Sequence, residues 1–155
     1  MKTAILIFCL LSSSLGIKSQ SDLPYKSLQE FRNDTLSFAE YNFGKRRQFY
    51  QGKTFENFVK DLKIEPKRIS FGYARNDMFA YMLLTISEEK NIYIYIYWEL
   101  GYKYSSYKKN VDLKDRGWTA PGFYNYFKEF KIKEVNFREH LEHLDYYYDP
   151  RKPKN

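Results

Sequence analysis

The chain has 155 residues, 20% of them aromatic, and carries 26 Lys and Arg against 19 Asp and Glu for a formal charge of +7. So many aromatic residues exclude an intrinsically disordered chain, and the composition also excludes collagen-like, coiled-coil and disulfide-scaffold classes. The length suits one domain built on one core.

The N-terminus reads as a targeting segment. Met1-Lys2 is a short positive start, Ala4 to Leu11 is an apolar run, and Ser12, Ser13 and Ser14 follow it. That is the layout of a secretory signal peptide over residues 1–19, and the run is too short to span a bilayer. Cleavage is expected between 16 and 21, after Gly16, Ser19 or Ser21; the polar, Pro-containing stretch that begins near Ser19 favours the later two. Cys9, the single cysteine, lies inside the apolar run, so the mature chain is expected to have neither thiol nor disulfide. Small secreted animal domains are usually stapled, and a thiol-free exported protein better suits a bacterial periplasm or cell exterior. Loss of Lys2 and Lys18 lowers the formal charge to +5, and Arg151, Lys152 and Lys154 at the tail supply three of those charges. Charge and compartment together argue against nucleic acid as a partner. No later segment approaches the ~18 apolar residues of a transmembrane helix.

In chain order, residues 28–50 read mostly as helix, with Ser27 and Glu30 as a capping box and Asp34 as a second start. Gly52 ends it and Thr54 caps the next helix, 55–63, where Phe55, Phe58, Val59 and Leu62 form an apolar stripe. Pro66 stops that helix. Strands follow at 67–74, 78–87 and 92–99, joined by the polar turns Ala74-Arg75-Asn76-Asp77 and Glu88-Glu89-Lys90-Asn91. The third strand alternates cleanly: Ile92, Ile94, Ile96 and Trp98 point one way, and Tyr93, Tyr95 and Tyr97 the other. Residues 100–118 read as a polar loop, 120–129 as a helix, 131–137 as a fourth strand and 138–146 as a terminal helix. The expected fold is α+β over residues 20–149: an antiparallel sheet of about four strands, a three-stranded meander at its centre, with helices packed on one face. Residues 150–155 are expected to be a mobile basic tail.

Gly52-Lys53-Thr54, then Val59, Leu62 and Pro66, followed by three strands, resembles the small exported bacterial modules of the SmpA/OmlA (BamE) and β-lactamase-inhibitor-protein-like class over about residues 35–98. The resemblance implies a non-enzymatic protein that binds other envelope proteins through its sheet or loops. This chain departs from the lipoprotein members in lacking a lipid-anchoring Cys.

Three groups of residues are candidate sites. Tyr93, Tyr95 and Tyr97 form either an outward recognition surface beside Tyr81 or Phe79, or a face half-buried under a second helix or loop. Between residues 99 and 118 lie Glu99, Asp112 and Asp115, a carboxylate set that could work on a glycan, with Arg116 and Trp118 as binding groups. The bland reading of that stretch is a solvated loop with Trp118 pinned into the core. His140 and His143 share a helix face, but zinc takes three or four ligands and the spacing is not that of a catalytic H-E-x-x-H. Lys45-Arg46-Arg47 suggests a solvated face or a link to an anionic surface. No nucleophile elbow, phosphate loop or dinucleotide fingerprint occurs, so no cofactor is expected. The leading expectation is an exported binding protein whose partner is another protein or an extracellular ligand. The alternative is a small hydrolase acting on envelope glycan or peptide through the loop carboxylates.

Overall fold

The computed structural model describes residues 23–99, 101–112 and 116–139. Within them, the alternating segments become four strands: β1 (Arg68–Tyr73), β2 (Phe79–Ser87), β3 (Ile92–Trp98) and β4 (Ile132–Arg138). All neighbours pair antiparallel, in the order β1-β2-β3-β4, and the fold is α+β as expected. Four α-helices accompany the sheet: α1 (Thr35–Ala39), α2 (Phe55–Asp61), α3 (Tyr104–Asn110) and α4 (Pro121–Phe127). No helix among the described residues is long and apolar enough to cross a membrane.

The period-2 and period-3.6 stripes meet. Met82, Leu84, Ile94, Ile96, Trp98, Ile132 and Val135 from the sheet share one buried cluster with Phe55, Phe58, Leu62, Phe123 and Phe127 from the helical side. Phe55 meets Trp98 edge-on with ring centroids 5.6 Å apart, and Trp98 stacks on Phe127 at 5.8 Å. Each such side chain contributes about 1.5–3 kcal/mol by leaving water, and the ring pairs add to that.

The stretch 28–50, expected to be mostly helix with a second start at Asp34, is a broken series that does restart there. Ser27 and Glu30 do pair, the Ser27 amide and hydroxyl donating to the Glu30 carboxylate at 2.6 and 3.0 Å, but they open only a 3-10 turn, Gln29–Phe31. Arg32 and Asn33 then take left-handed backbone (φ 54° and 64°), which stops propagation. Asp34 restarts the chain as α1, accepting from the Leu36 amide at 3.1 Å and the Ser37 hydroxyl at 2.6 Å. A π-turn over Glu40–Lys45 and a 3-10 turn over Arg47–Tyr50 complete the series. Gly44 lies where the π-turn crosses β4: a Cβ there would sit 3.4 Å from that of Phe137.

Only two residues of the basic triplet form a solvated face. Lys45 reaches Glu40 at 3.2 Å and Arg47 is exposed, but Arg46 is only 4% exposed. Its guanidinium donates to Asp61 (2.8 Å), to the Tyr50 hydroxyl (3.0 Å) and to the Leu23 carbonyl (2.9 Å), and its Cζ lies 3.7 Å from the Phe49 ring centroid. Tyr50 in turn donates to Asp61 at 2.9 Å. Buried Asn42 grips the same N-terminal segment, accepting from the Lys26 amide at 3.2 Å and donating to the Lys26 carbonyl at 2.8 Å.

Burial, followed by the Asp61 carboxylate, pushes the Tyr50 phenol far above its ordinary value near 10, against a smaller opposing effect of Arg46. Burial raises Tyr107 to about 12. In the unfolded chain both phenols ionise near pH 10. Stability linked to them is therefore fully present below about pH 10 and lost as pH rises above it, because only the unfolded state then releases the protons. Tyrosinate absorbance across an alkaline titration should rise in two stages, the second coinciding with loss of far-UV circular dichroism. A single stage near pH 10 with the fold intact would contradict this.

Candidate functional site

The tyrosine stripe lies on the sheet face opposite the main core, as its alternation requires, but it is not an open surface. Tyr95 is 1% and Tyr93 6% exposed, in a second buried cluster with Leu83, and Tyr81 and Tyr97 pack against it half-buried. Tyr81 lies 5.4 Å from Tyr95 and 5.6 Å from Tyr97, centroid to centroid, and Arg138 lies 5.6 Å over the Tyr95 ring. Leu83 and Tyr95, and Tyr81 and Tyr97, are cross-strand partners, which places these side chains side by side. Of the two readings of Tyr93, Tyr95 and Tyr97, the buried one describes Tyr93 and Tyr95, and Tyr97 is half-buried.

The stretch expected to be a loop over 100–118 contains α3. Its helix exists because Tyr104, Tyr107 and Val111 recur at helical spacing and turn toward the core, where Tyr107 meets Phe127 at 5.2 Å. Asp77, in the β1–β2 turn, accepts from the Ser105 amide in the first turn of α3 at 2.8 Å. Hydrogen bonding from Ser105, its hydroxyl first and its amide second, lowers the Asp77 carboxyl below its ordinary value. Arg116 closes the other end, donating from Nε to the Val111 carbonyl and from Nη2 to the Lys108 carbonyl, both at 3.0 Å. These carbonyls at the end of a helix have no intrahelical donor, and a cation is favoured there.

Arg116 thereby fixes the start of the turn that carries Trp118. The Ala120 amide donates to the Gly117 carbonyl at 3.1 Å, and Pro121 opens α4 immediately after. Trp118 is half-buried, its ring edge-on to Phe55 at 5.9 Å and tilted against Phe123 at 5.9 Å. Across from this turn, Pro66 is buried and Lys67 and Arg68 are exposed where the chain enters β1; the Lys67 amide donates to the Thr85 carbonyl at 2.7 Å. Between the two segments is an open cleft of about 340 Å³, lined by Glu65, Lys67, Arg68, Arg116 and Trp118 among others. Three cations face one carboxylate there, beside an indole. Its size matches that of small-ligand and side-chain pockets.

Glu99 is exposed at the end of β3, its amide donating to the Lys131 carbonyl at 2.9 Å. Asp112 is exposed after α3, and neither residue lines the cleft. Asp115, His140 and His143 lie outside the described residues, as do the proposed signal segment and the basic tail. Among the described residues no three His, Cys, Asp or Glu side chains are grouped to hold a metal. No motif in the sequence marks Lys67 and Arg68; the signal they carry is a dibasic pair directly after the proline that ends one element and before the alternation that starts the next.

No protein-family model, curated protein or solved structure matches this chain. What the fold and site define is an α+β domain with a basic, Trp-edged cleft at one end of its sheet.

Proposed function

We propose that this chain is an exported, non-enzymatic binding protein, and that its working surface is the cleft between the start of β1 and residues 116–119. The observation that carries the reading is the convergence of Lys67, Arg68, Arg116 and Trp118 on one open cleft. Cations at such a rim steer an acidic partner and select against a basic one, while the indole supplies apolar contact area at low entropic cost. Export is supported by the layout of residues 1–19 and by the restriction of cysteine to that segment.

Two measurements test this. Fractionation followed by N-terminal sequencing should find the protein outside the cytoplasm, starting at Ile17, Gln20 or Asp22; a cytoplasmic chain starting at Met1 refutes export. Lys67→Glu/Arg68→Glu should then be compared with the unaltered protein as bait in cross-linked envelope extract. Both residues are exposed, so the fold should survive their reversal. Partners captured by the unaltered protein should be lost from the variant, and equal capture by both removes the cleft as the working surface.

A further inference from the structure

The two edges of the sheet are treated differently. At the start of β4, the backbone of residues 52–54 covers the edge: the Gly52 amide donates to the Ile132 carbonyl and the Ile132 amide to the Lys53 carbonyl, both at 2.8 Å, and Thr54 bridges to Lys131. At the other edge β1 pairs with β2, and among the described residues no strand or bridge lies on its far side. That open edge begins in the basic cleft at Arg68 and ends at Tyr73, which is 43% exposed with its ring 4.7 Å from Tyr104.

We infer that β1 is a docking edge for an extended acidic peptide of a partner protein, which adds to the sheet as a fifth strand with its carboxylates beside Lys67, Arg68 and Arg116. The inference deepens the proposed role of the cleft and rests on it. An exposed strand edge offers unpaired amides and carbonyls, and pairing with them is a general mode of peptide recognition. Charges on an edge are also the usual protection against unwanted pairing, and here cations outnumber the one carboxylate, Glu65. Lys67 and Arg68 repel a basic strand and give a neutral one nothing, but an acidic strand gains from each. The same charges thus guard the edge and select its partner.

The fold limits the length of the ladder. The β1–β2 register shifts between Gly72 and Tyr73, so regular pairing runs from Arg68 to Gly72, about five residues or ~17 Å. Gly72 suits this edge: a Cβ there would clash with the Tyr81 ring, which occupies the place where a side chain would stand. An apolar residue of the partner at the Arg68 end would meet Trp118, and one at the far end would meet Tyr73.

The probe is an acetylated, amidated octapeptide of alternating Glu and Val, titrated into the full mature chain. Its comparators are the Lys-Val twin, two isomers N-methylated on alternate amides, and dextran sulfate. The acidic peptide should bind and the basic twin should not. One N-methylated isomer, the one whose blocked amides face β1, should bind at least tenfold more weakly, and outward amides between Arg68 and Gly72 should exchange at least tenfold more slowly at saturation. Lys67→Glu/Arg68→Glu should weaken binding at least tenfold. If charge reversal weakens binding but both isomers bind like the parent and β1 exchange is unchanged, strand addition is overturned and the anionic cleft survives. Equal response to dextran sulfate with unchanged β1 exchange overturns it in the same way. If charge reversal has no effect, the cleft falls too. Because the isomers are changes in the peptide, this test does not depend on any protein variant folding.

Discussion

Asp61→Ala is expected to destabilise the protein by about 3–5 kcal/mol, enough to unfold a domain of ordinary stability. The reason is the environment of its partner. The Arg46 side chain is 5% exposed, and its ion pair with Asp61 at 2.8 Å compensates a charge that water cannot reach. Removing the carboxylate leaves that guanidinium with two neutral acceptors, the Tyr50 hydroxyl and the Leu23 carbonyl. Arg46→Met should cost less, because the Asp61 side chain is 22% exposed and can regain water when left alone. The double variant Arg46→Met/Asp61→Leu should recover much of the loss, since a buried pair replaced by apolar groups of similar size is often close to neutral. Urea unfolding of the two single variants and the double variant gives the coupling directly. If Asp61→Ala costs less than about 1 kcal/mol, Arg46 behaves as a surface cation and does not depend on Asp61 for its charge.

That pair also marks where sequence reading stops. The strands were legible because Ile-Tyr alternation over 92–98 has one physical solution, a strand with two unlike faces; β1 followed from the same period, and β2 from a long apolar run between turn residues. Helix α2 was legible because Phe55, Phe58, Val59 and Leu62 keep a 3.6-residue period. Arg46 was not, since its partners Asp61 and Leu23 stand 15 and 23 positions away and no local pattern separates it from Lys45 and Arg47. Helix α3 was hidden for a related reason. Its inward residues include two tyrosines among serines and lysines, and its ends are held by Asp77 and Arg116, which act only once the chain has folded. Half of the cleft, Arg116 and Trp118, was singled out by residue type. The other half, Lys67 and Arg68, is brought to it only by tertiary packing.

Phe58→Ala should cost about 3–5 kcal/mol, and Tyr95→Ala about 2–4 kcal/mol rather than the small loss an outward tyrosine would show. Phe58 is fully buried in the main core, 4.9 Å from Phe43 and 5.4 Å from Tyr50 between ring centroids, so its removal opens a cavity among rings that cannot collapse into it. Tyr95 is nearly as buried, at 1%, on the other face, but its cluster is smaller and its neighbours Tyr81 and Tyr97 are half-buried. Those rings can close part of the gap, which is why its expected loss is the lesser of the two. The comparison decides what the second face of the sheet is. A measured cost below about 1 kcal/mol for Tyr95→Ala would mean that the stripe faces water and is available as a recognition surface. A cost in the expected range makes it a second core. Recognition by the sheet would then pass to the edge of β1, where the described fold leaves backbone groups unpaired and the cations of the cleft begin.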